Sequence, residues 1–315
     1  MAEGPAFRDL LSNEQNRRRA AWRYWARDTA QGSLNLAIHH GLRALPTDLC
    51  SAFGAQAARL SPLRYPESEA RARRLWQRLH PQASSPPEVE AAMRRLWRSV
   101  GRTMAEYSVL HRLCDEGRVE IVGAENLTMS EGRPMIGAAL HLGNWELIGV
   151  VATRLGYTGG GTYEPPENRF DRRIAADVRR RYGGTPLTPS LNTAVQAYEL
   201  LRQGQNFLFY LDEINEDRVS APAFGRAQRL RGNIANAVRL ARLADARIIV
   251  TYCERLGDAA RFRVHFLPPL RLARDGGSRS DLAANVAKLD AVITPIIAAR
   301  LDQWYYTLDF EPDPS

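Results

Sequence analysis

Apolar and polar positions along this chain fall into two periods. The unbroken apolar run Pro134-Met135-Ile136-Gly137-Ala138-Ala139-Leu140 predicts a buried strand, and Leu147-Ile148-Gly149-Val150-Val151-Ala152, after a short polar break, predicts a helix. Further short apolar runs predict strands near 119–122, 206–211, 247–253 and 261–266. Helical spacing predicts helices over 67–80, 88–115, 168–182, 191–203, 232–244 and 281–301, the second with Met93, Leu96, Trp97, Val100 and Met104 on one face. Gly159-Gly160-Gly161 is expected as a loop, and it lacks the spacing of a phosphate cradle. Strands alternating with helices predict an α/β fold: a central mixed, mostly parallel sheet flanked by helices, with an N-terminal helical extension.

That extension has its own pattern. Arg17-Arg18-Arg19 and then Trp22, Arg23, Tyr24, Trp25 and Arg27 precede a helical repeat of Leu34, Ala37, Ile38, Leu42, Leu45, Leu49 and Phe53 across 33–60. Basic residues interleaved with aromatics before an amphipathic helix suit an anchor lying on a membrane surface. The same pattern equally suits a surface helix packed on the core. Pro62, Pro66, Pro81, Pro86 and Pro87 punctuate the next stretch, so the expected division is a helical region over 1–87 and a catalytic domain over 88–315.

Composition narrows the classes. A chain of 315 residues that is 44% hydrophobic is long and apolar enough for one large domain with a real core. The net charge is +8, and Lys288 is the one lysine, so the basic charge is carried by arginine. Arginine suits phosphate, an acidic carrier protein or an anionic membrane surface, and genome bias toward arginine would give the same count. No nucleic-acid-binding signature stands out. Cys50, Cys114 and Cys253 are scattered without a paired framework, which suits a reducing compartment, buried apolar side chains and no metal site. No signal peptide and no apolar run long enough to span a membrane are found.

The candidate chemistry sits between the two apolar runs, in His141-Leu142-Gly143-Asn144-Trp145-Glu146. A histidine leaving a strand and a carboxylate in the next helical turn can meet across the loop. The imidazole would then be a general base, with Glu146 holding its far nitrogen and fixing the tautomer. Asn144 suits the cap of the following helix. No serine or cysteine lies in the motif, which favours direct attack by a bound acceptor over a covalent acyl-enzyme.

This stretch resembles the HxxxxE signature, often HxGNWE, of the bacterial lipid A late (lauroyl/myristoyl) acyltransferases, a branch of the lysophospholipid acyltransferase superfamily. Tyr163-Glu164-Pro165-Pro166-Glu167-Asn168 resembles the family's YRPxxNP segment, with Arg179 at its downstream arginine. Phe207 to Asp212, Phe224-Gly225, the run Val238 to Ala246 and Gln303-Trp304 resemble later blocks in the right order, so the likeness spans roughly residues 90–310. The departures are Glu164 where the family has arginine, Glu213 after the aspartate, Arg169 after Asn168, no closing basic run, and no spanning helix at the start.

The resemblance implies a glycerol-3-phosphate acyltransferase-like fold and transfer of a fatty acyl chain from acyl carrier protein or coenzyme A to a hydroxyl or amine of a membrane lipid. By family default that lipid is a lipid A precursor. It implies His141 and Glu146 as catalytic residues, Asn144, Asn168, Arg179 and Asp212 as substrate contacts, and no cofactor beyond the acyl thioester. By pattern alone, Asn168 is better read as a helix cap, Arg179 as a solvated charge, and Asp212 as either a turn residue or an orienting group of the cleft. The expected location is peripheral, on the cytoplasmic face of the inner membrane. The alternative is a non-catalytic lipid- or carrier-binding protein that keeps the fold.

Overall fold

The computed structural model describes residues 4–128, 132–180, 185–190, 192–216, 218–273 and 278–311. Helices come first: α1 (Gln15–Trp22), α2 (Asp28–Ala44), α3 (Thr47–Ala57), α4 (Ser61–Arg64), α5 (Pro66–Leu79), α6 (Pro86–Glu106) and α7 (Leu110–Asp115). Strands and helices then alternate: β1 (Val119–Val122), α8 (Glu125–Thr128), β2 (Met135–Ala139), α9 (Glu146–Arg154), β3 (Gly159–Thr162), α10 (Arg169–Arg179), β4 (Thr185–Leu187), α11 (Thr193–Arg202) and β5 (Asn206–Tyr210). A hairpin, β6 (Ile214–Asn215) and β7 (Arg218–Val219), leads into α12 (Gly232–Leu243), β8 (Arg247–Arg255), β9 (Phe262–Phe266) and α13 (Ser278–Ala298). Residues 181 and 182 of the helix expected over 168–182, and residue 191 of the helix expected over 191–203, lie outside the described residues.

The main sheet has seven strands in the order β1-β9-β8-β2-β5-β3-β4. Every neighbouring pair is parallel except β8 with β9, so the sheet is mixed and mostly parallel, as expected. Period-two alternation sends successive residues of each strand to opposite faces. Ile136, Ala138, Phe207, Phe209, Ile248 and Val250 face a core made with α5, α6, α11, α12 and α13. Met135, Ala139, Ile249 and Cys253 face a second core made with α7, α9 and α10. Each fully buried Leu, Ile or Phe side chain contributes about 1.5–3 kcal/mol of hydrophobic stabilisation.

Four expectations change. The helix expected over 88–115 ends at Glu106 and resumes as α7 at Leu110. Residues 33–60 are not one helix. Leu45 before Pro46 is extended, as a residue preceding proline prefers, and it separates α2 from α3. Gly159–Thr162 is strand β3, not a loop. The expected boundary at 87/88 falls inside α6, and Ala72, Leu75 and Trp76 of α5 share a core with Val89 and Met93 of α6, so the N-terminal helices are built onto the sheet. Among the described residues no helix is long and apolar enough to cross a membrane.

Candidate active site

Parallel strands lying side by side bring their exits together. Ala139 of β2 is in register with Tyr210 of β5, so residues two steps beyond each strand meet: His141 and Asp212. Leu211 N–H donates to Ala139 O at 2.9 Å and carries the pairing past the strand ends. Asp212 is wholly buried. It accepts three bonds, each 2.8 Å: from the His141 backbone N–H, from His141 Nδ1 and from Trp304 Nε1. The backbone and indole N–H groups occupy Oδ2, and Oδ1 is left to accept from the ring. Nδ1 therefore carries the proton, and Nε2 is the free base.

The contact expected between Glu146 and the ring is not the one formed: His141 Nδ1 is bonded to Asp212, across the sheet, and not to the carboxylate of the next helical turn. Glu146 opens α9 and accepts from Arg179 Nη2 at 2.8 Å. The Arg179 guanidinium lies 4.0 Å from the centroid of the Tyr163 ring. Burial raises the Tyr107 hydroxyl far above its usual range, with the nearby Glu146 charge adding to the rise.

The loop between them is clamped from three sides. Gly143 has φ +56, and a Cβ there would stand 2.7 Å from Cys253 O, so glycine alone fits. Thr103 Oγ1 of α6 donates to Gly143 O at 2.9 Å. Gly143 N donates to Gln303 O at 3.0 Å and Tyr305 N to His141 O at 3.0 Å. Asn144 neither caps α9 nor faces solvent. It is buried, and its Nδ2 donates to Glu106 Oε2 at 3.2 Å. Glu106 also holds Arg255 through two bonds of 2.7 Å and accepts from Ser51 Oγ at 2.6 Å.

Two further expected substrate contacts are placed elsewhere. Asp212 has no exposed surface to offer a substrate. Asn168 is the N-cap of α10, accepting from Phe170 N at 2.9 Å, while its Nδ2 donates to Asp28 O at 2.7 Å.

A cavity of about 580 Å³ lies between the sheet and helices α9 and α10. Its helical walls are single faces: Glu146, Gly149 and Ala152 of α9, and Arg172, Ala175, Ala176 and Arg179 of α10, at three- and four-residue spacing. Gly137 and Gly161 leave room on the sheet side. The lining runs from Tyr210 at the exit of β5 to Asn206 at its start, four steps or about 13 Å at ~3.3 Å per residue. Apolar walls with Glu146, Arg179 and Tyr163 at one end suit an amphiphile with a long chain and a polar head.

His141 is not part of that lining; Tyr210 is. The Tyr210 ring stands between the two, its centroid 4.2 Å from that of the imidazole, and its hydroxyl donates to Trp145 O at 3.1 Å. Trp145 and Tyr306 edge the imidazole at 5.4 and 5.1 Å, leaving the histidine side chain 17% exposed.

Glu213 follows Asp212. Burial pushes its carboxyl up to about 7 against the pull of the Asn233 N–H, which donates to Oε1 at 2.5 Å; the Asp212 charge adds to the rise. A carboxyl raised on folding contributes stability below its unfolded value and loses it as pH climbs through the folded one, here from about 4.5 to about 7. Glu213→Gln should match the parent near pH ~4 and exceed it near pH ~8 by on the order of 2 kcal/mol. Thermal unfolding at both pH values checks this, and a pH-independent difference contradicts it.

The family model described as bacterial lipid A biosynthesis acyltransferase matches residues 18–308. No curated protein matches the chain. Among solved structures, the crystal structure of the 1-acyl-sn-glycerophosphate acyltransferase PlsC from Thermotoga maritima is similar at 14% identity, over 65% of this chain and 88% of that one, with a TM-score of 0.36. That likeness is too slight to add to the fold described above.

Proposed function

The chain belongs to the bacterial lipid A biosynthesis acyltransferase family, and we propose that it moves a fatty acyl chain from an acyl carrier protein or coenzyme A thioester to a hydroxyl or amine of a lipid A precursor-like membrane lipid. Family membership makes it an acyltransferase acting on lipid-like acceptors. The observation that carries the finer reading is the His141–Asp212 pair, its carboxylate buried and its imidazole partly exposed, standing one aromatic ring from an apolar cavity.

In this reading the acyl chain lies along the cavity with its thioester carbonyl at the Tyr210 and Glu146 end. The acceptor oxygen or nitrogen attacks that carbonyl carbon while His141 Nε2 takes its proton. The tetrahedral intermediate collapses, the carbon–sulfur bond breaks, and the imidazolium returns the proton to the departing thiolate. Ester or amide and free thiol are the products. Asp212 fixes the tautomer and offsets the imidazolium charge. Arg179, with Arg172 on the same face of α10, offers cations to a phosphate at the cavity mouth. Glu164 is exposed between two lining residues, Tyr163 and Pro165, so an acidic side chain stands where the family carries arginine. The acceptor headgroup is therefore met by α10 rather than by that position.

Acceptor and product are membrane lipids, so the working location is peripheral, on the cytoplasmic face of the inner membrane. Mass analysis of purified protein mixed with acyl thioester and lipid A precursor tests the proposal. The expected product is the precursor heavier by one acyl group, absent with His141→Ala. Free fatty acid released equally with and without acceptor would make it a thioesterase. Acyl binding without any product would make it a non-catalytic binder.

A further inference from the structure

Helix α2 has two unlike faces. Gly32, His39 and Leu42 are buried and Asn35 is half-buried. At 100° per residue these cluster on one side of the helix. Ala30, Ser33, Leu34, Ala37, Ile38 and Gly41 cluster on the opposite side, all exposed and none charged. Leu34 is 60% and Ile38 45% exposed.

The inward face grips α10. A Cβ at Gly32 would stand 2.5 Å from Asn168 Oδ1 and 2.6 Å from Phe170 Cδ2, so helix α2 lies flush against the start of α10. Asn35 Nδ2 donates to Asp171 Oδ1 at 3.0 Å, and Arg43 Nη1 to Asp177 Oδ2 at 2.8 Å. Arg169 packs its guanidinium 4.2 Å from the Tyr24 ring centroid. The grip runs the length of α10, whose other face is the cavity wall of Arg172, Ala175, Ala176 and Arg179.

The outward face fits one occupant best. Exposed Arg17, Arg18, Arg19 and Arg27, with Trp22 57% exposed, lead into the charge-free stripe. Arginine and tryptophan beside an apolar helical face match the headgroup and acyl layers of an anionic bilayer. We propose that α2 docks on an anionic lipid surface through Leu34 and Ile38, and that this docking sets the position of α10 and so the acyl cavity behind it. The coupling is reciprocal, so a chain in the cavity strengthens lipid binding through the same contacts. The inference rests on the cavity being the acyl site, but its test needs no turnover.

The test uses the full chain with phosphatidylglycerol and phosphatidylcholine vesicles, flotation reporting binding and hydrogen exchange reporting α10. The parent should float with phosphatidylglycerol vesicles, and exchange across 169–179 should change when they are added. Leu34→Glu/Ile38→Glu, at exposed positions that leave the fold intact by thermal melting, should lose at least about tenfold in vesicle partition. Asn35→Ala/Arg43→Ala should float like the parent but lose the exchange response. Undiminished flotation of the glutamate pair, or bound vesicles that leave α10 exchange unchanged in the parent, overturns the proposal. Absence of acyl transfer alongside intact flotation and exchange responses would defeat the proposed function and leave this inference standing.

Discussion

Asp212→Asn lowers kcat by on the order of 10³ to 10⁴ while the fold persists. The size follows from the wiring of the carboxylate. Its Oδ2 is held by two fixed donors, the His141 backbone N–H and Trp304 Nε1. An asparagine placed there keeps its carbonyl oxygen on that side and turns its amide NH₂ toward His141 Nδ1. The imidazole then accepts at Nδ1 and carries its proton on Nε2, the wrong tautomer for a base. The bulk and the burial are unchanged, so thermal stability stays close to the parent's. Steady-state rates with an acyl thioester measure the loss, and a variant within about tenfold of the parent contradicts the assignment of Asp212 as the orienting acid. Glu146→Gln leaves the tautomer in place and loosens Arg179 instead, so its effect falls on KM for a phosphate-bearing substrate more than on kcat.

Glu106→Ala should cost about 3–5 kcal/mol of folding stability, a large share of the ~5–15 kcal/mol that holds a domain together. Glu106 has no exposed surface, and it is the ionic partner of Arg255, itself buried. Burial opposes the ionised carboxyl, yet the Arg255 charge and bonds hold it below its usual range. Removing it leaves a guanidinium without its countercharge in the interior and frees Asn144 in the loop that carries His141. Chemical unfolding of the purified variant gives the number. A midpoint equal to the parent's would mean that water replaces the carboxylate at no cost.

These two residues also show where sequence reading stops. His141, its strand, its loop and α9 were all legible, because an apolar run, a glycine and a polar break are local signals. Asp212 was visible as a residue at a strand end, but its partner was not. That depends on β2 and β5 being neighbours in register, a fact of sheet order that spacing along the chain does not carry. Glu106 lay in an expected helix as one more acidic residue, and nothing local marks it as the hub of a buried network. Gly159–Thr162 looked like a loop because glycine disfavours strands. It is a strand because a Cβ at Gly159 would fall 2.0 Å from Asn206 O, so the close approach of β5 demands glycine. In the N-terminal stretch the helical repeat runs through Leu34, Ile38 and Leu42 alike. The structure turns Leu42 inward beside Gly32 and His39 and the other two outward, since the inward face is chosen by close packing and hydrogen bonds to α10 rather than by apolar content.

The most direct test of the dyad is nuclear magnetic resonance of the His141 Nδ1 proton in nitrogen-15-labelled protein, with Asp212→Asn and Glu146→Gln alongside the parent. A proton shared with a buried carboxylate resonates far downfield. That signal is expected in the parent and in Glu146→Gln, and is lost in Asp212→Asn. A signal that survives in Asp212→Asn and vanishes in Glu146→Gln would contradict the dyad.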